Sequence, residues 1–389
     1  LEEHLVRCSQ CRRELEEAKR LLAWTEAASD KGVIKHIEDI INNALVSGAS
    51  DIHFDPQNDN SLAIKYRIDG VLKEIERAAP AQHTGIICRL RMLADMDISE
   101  SDTPNEGRIL WQMNNREFDL RISSMPFIYG NGFVIRIYNR SSSRLGLDMI
   151  MMYPDQKDIL LKLLHSPCGM LLATGPSGSG KTTTLLSMLK ILSDNKSIRI
   201  MSVEDPVEVL IPGVSQSQIN HKAGYTYLSA LRAVSKQDPD VIMVGEIGDL
   251  DTLHASAELA ISGHLVMSQM HAFSTIAAVQ RLSELGLEHY LTSITLLGIT
   301  NQRLIRKICQ DCKEPAQPGF AAMKALGISK EDIEGKTLYK GKGCDKCHNT
   351  GYYGRSAIYE VLEIDDDIAR IIAEDGDTNE IKQAVINKG

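Results

Sequence analysis

The spacing of apolar positions changes several times along the chain. Residues 1–30 read as a strongly charged amphipathic helix, Glu14-Leu-Glu-Glu-Ala-Lys-Arg-Leu-Leu22. Apolar positions at helical spacing over 33–46 predict a second helix. The rhythm then shortens to two: Leu62-Ala-Ile-Lys-Tyr-Arg-Ile-Asp-Gly-Val-Leu72 alternates as a hairpin does. Residues 82–95 return to helical spacing. Strands are expected around Glu106-Gly-Arg108-Ile109, over Phe118–Ser124 and over Phe133–Tyr138. This predicts an α+β domain over 31–140, with a hinge at 141–150 where serines and arginines crowd together. Over 151–308 the apolar runs 170–174, 198–203, 241–245 and 263–268 alternate with helical stretches, the pattern of a parallel sheet. A cysteine-bearing module over 309–360 and a short acidic helical tail over 361–389 complete the expected order.

Composition narrows this only a little. A length of 389 residues suits two or three domains, each with its own core. Apolar content of 43% and charged content of 24% are ordinary for a globular chain. The net charge of −9 weighs against a nucleic-acid partner. No apolar run approaches the ~20 residues of a membrane span. The first residue is Leu1 rather than Met, so the expectation is a fragment of a longer protein.

Cysteine usage adds chemistry. Six of the eight cysteines stand in Cys-x-x-Cys pairs, which points to metal rather than to disulfides. Cys88 and Cys168 lie in apolar surroundings and read as buried thiols. Cys309, Cys312, Cys344 and Cys347 make two pairs about thirty residues apart, a four-thiolate set suited to a closed structural Zn²⁺ site. His4, Cys8 and Cys11 have spacing that places three zinc ligands at one helical end. A solvated helix with two free thiols is the other reading of that stretch.

The sharpest motif is Gly175-Pro176-Ser177-Gly178-Ser179-Gly180-Lys181-Thr182, followed by Thr183. It follows an apolar run and precedes a leucine-rich helical stretch, the context that a phosphate-binding loop needs. Glycines let backbone N–H groups curl around a phosphate chain, and the helix N-terminus adds partial positive charge. Lys181 is expected at the β- and γ-phosphates of a nucleoside triphosphate, and Thr182 on Mg²⁺. Glu204 and Asp205 follow the Ile198–Val203 run, placing carboxylates at a sheet edge where α/β ligands bind. Val241-Ile-Met-Val-Gly-Glu246 is another apolar run ending in an acid, placed to support the metal shell.

These blocks resemble, in order, the secretion ATPases that assemble type IV pili and drive type II secretion. The resemblance runs from about Val33 onward. It includes Ala49-Ser-Asp-Ile-His-Phe54, Arg67-Ile-Asp-Gly-Val-Leu72, Val203-Glu-Asp-Pro-Val-Glu208, Gln237-Asp-Pro-Asp-Val-Ile-Met-Val-Gly-Glu246-Ile247, Gly263-His-Leu-Val266 and Gly351-Tyr-Tyr-Gly-Arg355. It implies an α/β chain with a RecA-like P-loop ATPase core, a preceding PAS-like α+β domain and a small tetracysteine zinc module. It further implies ATP and Mg²⁺ as cofactors, and a cytoplasmic homo-hexamer peripheral at the inner membrane. Attachment there would be through an inner-membrane platform protein, with no nucleic acid involved. Carried onto these residues, the family's acidic box makes Glu204 the base that activates water. Its histidine box falls on His264 and His271, with His264 expected to sense the γ-phosphate. Its ring-crossing arginines fall on Arg108 and Arg121. The N-terminal His4, Cys8 and Cys11 resemble instead the short zinc-binding module of anti-sigma factors.

Departures from the family pattern cluster around the catalytic contacts. Gly248 stands where the family has arginine, and Lys236 where it has another. The histidine box reads Ser268-Gln-Met-His-Ala-Phe273, and Glu100-Ser-Asp-Thr-Pro-Asn-Glu-Gly-Arg108 also differs. A nucleotide-binding scaffold with reduced hydrolysis is therefore the alternative to a motor.

Overall fold

The structure, a computed structural model, describes residues 8–99, 102–139, 145–146, 150–317, 319–329, 331–374 and 378–388. Most of the expected hinge at 141–150 lies outside them, as does His4; the side chain of Cys11 is likewise not described. The chain divides into two compact units, Leu1–Ser141 and Ser142–Gly389.

The first unit is built on a six-stranded antiparallel sheet. Its strands are β1 (Ala49–Pro56), β2 (Leu62–Ile68), β3 (Val71–Ala78), β4 (Asn105–Met113), β5 (Arg116–Phe127) and β6 (Gly130–Asn139), in the order β3-β2-β1-β6-β5-β4. Alternation drives it: Ile52, Phe54, Leu62, Ile64, Leu120, Ile122, Phe133 and Ile135 are buried within its core. Helix Lys31–Val46 adds Val33, Ile37, Ile40, Ile41 and Ala44, a single apolar stripe. Asp30 caps that helix by accepting from the N–H groups of Gly32 and Val33 at 2.8 and 3.1 Å. Helix Ser9–Ala28 belongs to the same unit. It lies so close to helix Pro80–Leu93 that a Cβ on Gly85 would stand 3.0 Å from the carbonyl oxygen of Ala27.

The second unit holds a seven-stranded sheet ordered β15-β12-β7-β11-β10-β8-β9. The strands are β7 (Gly169–Thr174), β8 (Ile200–Glu204), β9 (Val214–Gln218), β10 (Val241–Val244), β11 (Leu265–Met270), β12 (Leu296–Ile308) and β15 (Tyr352–Glu363). Six strands run parallel, and β15 alone is antiparallel, against β12. Every residue of β7 and β10 is buried, as in a sheet covered on both faces. Two expectations need adjustment. Strand β15 falls in the stretch assigned to the cysteine module, yet it forms the edge of the large sheet. The acidic tail is helical, Asp366–Ala373 and Thr378–Lys388, and buries Ile368, Ile372 and Ile381 in that sheet's core. Between β12 and β15, the short pair β13 (Lys313–Ala316) and β14 (Leu338–Gly341) forms a sheet of its own.

Candidate functional site

Strand β7 delivers the chain to the glycine-rich loop, and helix Lys181–Ser193 begins where the loop ends. Gly175 has φ +145°, and a Cβ there would lie 2.6 Å from both the carbonyl oxygen of Gln302 and Oγ of Ser179. Only glycine fits that cradle. The Lys181 ammonium donates to the carbonyl oxygens of Gly175 and Pro176, both at 3.1 Å. Burial lowers its pKa, opposed by the charge of Glu246. Thr182 Oγ1 donates to Gln269 Oε1 at 3.4 Å. Ser177, Gly178 and Thr183 are exposed, whereas Ser179 is buried with its Oγ unpartnered among the described residues. An unpartnered hydroxyl in a glycine cradle suits a phosphate oxygen.

The loop is braced from β12. Gln302 Nε2 donates to the carbonyl oxygen of Ser179 at 2.8 Å, and Asn301 Nδ2 to Thr174 Oγ1 at 2.9 Å. The sequence reading missed this pair. Its signal in the sequence is weak, two adjacent amides in a strand that mixes apolar and polar positions, although the structure buries both.

The acids gather at the same ends of the parallel strands. Glu204 closes β8 and is 2% exposed. Its Oε1 accepts from Ser202 Oγ at 2.5 Å and from Gln216 Nε2 at 2.9 Å. Burial raises its pKa, and those two hydrogen bonds oppose the rise. Glu246 follows β10, half-exposed, with Nε2 of His271 3.4 Å from its Oε1. Asp205 faces Nε2 of His221 at 2.9 Å. Thr182, Glu204, Asp205, Glu208, Tyr227, Glu246 and Gln269 surround a cavity of about 50 Å³. The Tyr227 phenol is pushed above its usual range, first by burial and then by Asp205, Glu246 and Glu204.

His264 does not join them. Its neighbour Leu265 begins β11 and pairs with Gly169, whereas Met270 at the strand's far end pairs with Thr174 beside the phosphate loop. A six-residue strand separates the two ends by about 20 Å. The imidazole Nδ1 lies 2.9 Å from the carbonyl oxygen of Leu259, a local structural contact. The expectation that His264 senses the γ-phosphate is therefore corrected, and His271 is the histidine at the site.

Arg108 and Arg121 belong to the first unit. Register places Arg108 opposite Arg121, Arg121 opposite Arg136, Arg136 opposite Asp51 and Asp51 opposite Arg67, a file across five strands. Like charges opposed in this way repel. Asp119 offsets part of the repulsion by accepting both Nε and NH2 of Arg108 at 2.6 and 2.8 Å. Asp51 accepts from Arg136 Nε at 2.9 Å, and Arg121 lies 5.4 Å over the Tyr138 ring.

In the cysteine module, Sγ of Cys309 is 3.8 Å from Cys344, Cys312 is 3.8 Å from Cys347, and Cys344 is 3.7 Å from Cys347. A tetrahedron with Zn–S bonds of ~2.3 Å has edges of about 3.8 Å, so the four sulfurs fit zinc. N–H groups of Gly343, Cys344 and Gly351 donate to Cys312 and Cys347 at 3.2–3.3 Å, which favours thiolate. Burial pushes the Cys347 thiol up, but the donors from Cys344 and Gly351 bring it down to about 6. Among the described residues this is the only group of three or more such ligands. Cys8 is half-buried, and His4 and the side chain of Cys11 lie outside the described residues. Cys88 is buried, whereas Cys168 is only half-buried.

Comparison with known proteins gives a consistent picture. The family described as "Type II/IV secretion system protein" matches residues 26–389. Type II secretion system ATPase E of Vibrio cholerae is 39% identical over 347 residues, covering 89% of this chain and 68% of that protein. Type II secretion system protein E of Pseudomonas aeruginosa is 36% identical, covering 94% and 72%. The type IV pilus assembly ATPase PilB of Thermus thermophilus is 36% identical, covering 96% of this chain but 41% of that one. Among solved structures, the ATPase DotB of Legionella pneumophila aligns over 90% of this chain and 86% of its own, with TM-score 0.64 and 18% identity. The pilus retraction motor PilT aligns over 90% and 88%, with TM-score 0.58 and 24% identity.

Proposed function

This chain belongs to the type II/IV secretion system protein family, and from that premise we propose an ATP-hydrolysing motor for pilus or pseudopilus assembly, or for type II secretion. One observation carries the reading. The phosphate loop, Glu204 and Glu246 meet around a single acid-lined cavity at the C-terminal ends of the parallel strands.

In this reading, Lys181 and the loop N–H groups hold the triphosphate, and Thr182 supplies an oxygen to Mg²⁺. Mg²⁺ held there would supply positive charge against that of the phosphates. Glu204 takes the proton of the attacking water, and its burial makes it a stronger base than an exposed glutamate. Glu246 supports the metal shell, with His271 beside it. Arg108 and Arg121 stabilise transition-state charge from a neighbouring copy in a homo-hexamer. The four cysteines hold one structural Zn²⁺. We place the hexamer in the cytoplasm at the inner membrane, attached through a platform protein. No described helix is long and apolar enough to cross a membrane.

The departures at Gly248 and across Ser268–Phe273 favour slow turnover, and at the extreme a nucleotide-binding scaffold. Steady-state ATP hydrolysis by the assembled full chain, beside Lys181→Ala and Glu204→Gln, tests both. The motor reading expects measurable turnover that each variant abolishes, with nucleotide binding retained in Glu204→Gln. Nucleotide binding without turnover in the unaltered chain would favour the scaffold, and unaltered turnover in both variants would overturn the site.

A further inference from the structure

We propose that Gln216 is a positioning residue for Glu204, holding one carboxylate oxygen so that the other is left for the cavity beside Thr182. The proposal rests on the reading of Glu204 as the base. Strand β9 runs Val-Ser-Gln-Ser-Gln, and its alternation puts Gln216 and Gln218 on one side. Both amides hold the segment that follows Glu204. Gln218 Oε1 accepts from the N–H of Val207 at 3.3 Å, and Gln216 Oε1 from that of Ile211 at 2.7 Å. Gln216 Nε2 then donates twice, to the carbonyl oxygen of Val209 and to Glu204 Oε1, both at 2.9 Å.

The orientation follows from these bonds. An amide whose oxygen is already taken by a backbone N–H cannot turn that oxygen toward the acid, so only its donor faces Glu204. Ser202 Oγ, two residues back on the same strand, donates to the same Oε1. Oε2 has no protein hydrogen bond among the described residues and remains as the basic position. The arrangement also ties the base to the 206–213 loop, which Ile211 anchors by burial. The other titratable groups around the cavity are Asp205 and Glu208 on the same segment, Tyr227 from helix Tyr227–Val234, and Glu246 beyond β10. None of them donates to Glu204.

The test uses the full chain with ¹³C-labelled glutamate carboxyls, alongside steady-state hydrolysis across pH. The Glu204 signal is assigned by its loss in Glu204→Gln. Gln216→Leu is expected to lower kcat by about 10- to 100-fold with KM for ATP near the original. Because the lost donor favoured the carboxylate, the acid limb of kcat and the Glu204 carboxyl midpoint both move to higher pH. Gln216→Glu keeps the bond from Ile211 N–H and moves the midpoint further the same way, so it decides the matter if Gln216→Leu does not fold. A lower melting temperature with the limb and midpoint unmoved would reduce Gln216 to a structural part and overturn the proposal. Full activity in Glu204→Gln would remove the base reading itself. An inactive Glu204→Gln beside unaltered Gln216 variants would remove only the positioning role.

Discussion

Lys181 is held by two carbonyl oxygens of its own glycine-rich loop. Lys181→Ala is therefore expected to lose nucleotide binding in a direct titration, with the fold intact by circular dichroism. Glu204 titrates above the ordinary glutamate range because burial penalises its charge. A base must be ionised, so turnover is expected to fall on the acid side at a higher pH than an exposed glutamate would give. A kcat–pH profile checks this, and a limb at the usual carboxylate pH would count against it. At Gly248 a Cβ meets nothing within 4 Å and the backbone is not left-handed, so the backbone accepts a side chain there. If that arginine supplies a charge-assisted contact formed only in the transition state, turnover rises about tenfold or more with nucleotide affinity unchanged. The phosphate loop was legible in the sequence because its glycines state backbone conformation directly. His264 was misread because the family's histidine box was carried onto it, although it stands at the start of the 263–268 run, the end away from the phosphate loop in a parallel sheet. Gln216 and Gln302 were missed because each acts across a strand pairing that sequence alone does not reveal.

At the scale of elements, the strands of the large sheet were readable as apolar runs, since both faces are covered and nearly every position is buried. Strand β15 was not. Its positions are mostly half-buried or exposed, so the run Tyr352–Glu363 carries no continuous apolar signal and reads as part of the cysteine module. The module itself was plain from Cys-x-x-Cys spacing. Its closure depends on a tight approach: a Cβ on Gly341 would stand 1.9 Å from the carbonyl oxygen of Gly351. Freshly prepared, reduced protein is expected to carry about one zinc per chain through these cysteines by elemental analysis. Cys344→Ser should release it and raise protease sensitivity within 309–351, while the phosphate loop still binds nucleotide. Loss of nucleotide binding in that variant would mean that the two sites are not separable.

For the molecule as a whole, the C-terminal helices complete the second core rather than trailing from it. Ile372 is 3% exposed within the cluster that holds the sheet, so Ile372→Ala should cost about 2–4 kcal/mol and lower the melting temperature of that unit. An unchanged melt would place the helix outside the cooperative core. The same unit carries a mechanical consequence in β12. Asn301 and Gln302 on this strand grip the chain at Thr174 and Ser179, and seven residues on, about 23 Å away, the strand ends and Cys309 follows. Antiparallel pairing with β15 spans the stretch between, and the four-cysteine cluster lies where the two strands end. The arrangement is a short beam with a clamp at one end and a catch on the phosphate loop at the other. On that geometry, a load applied to the cysteine module is expected to reach the carbonyl of Ser179 through β12.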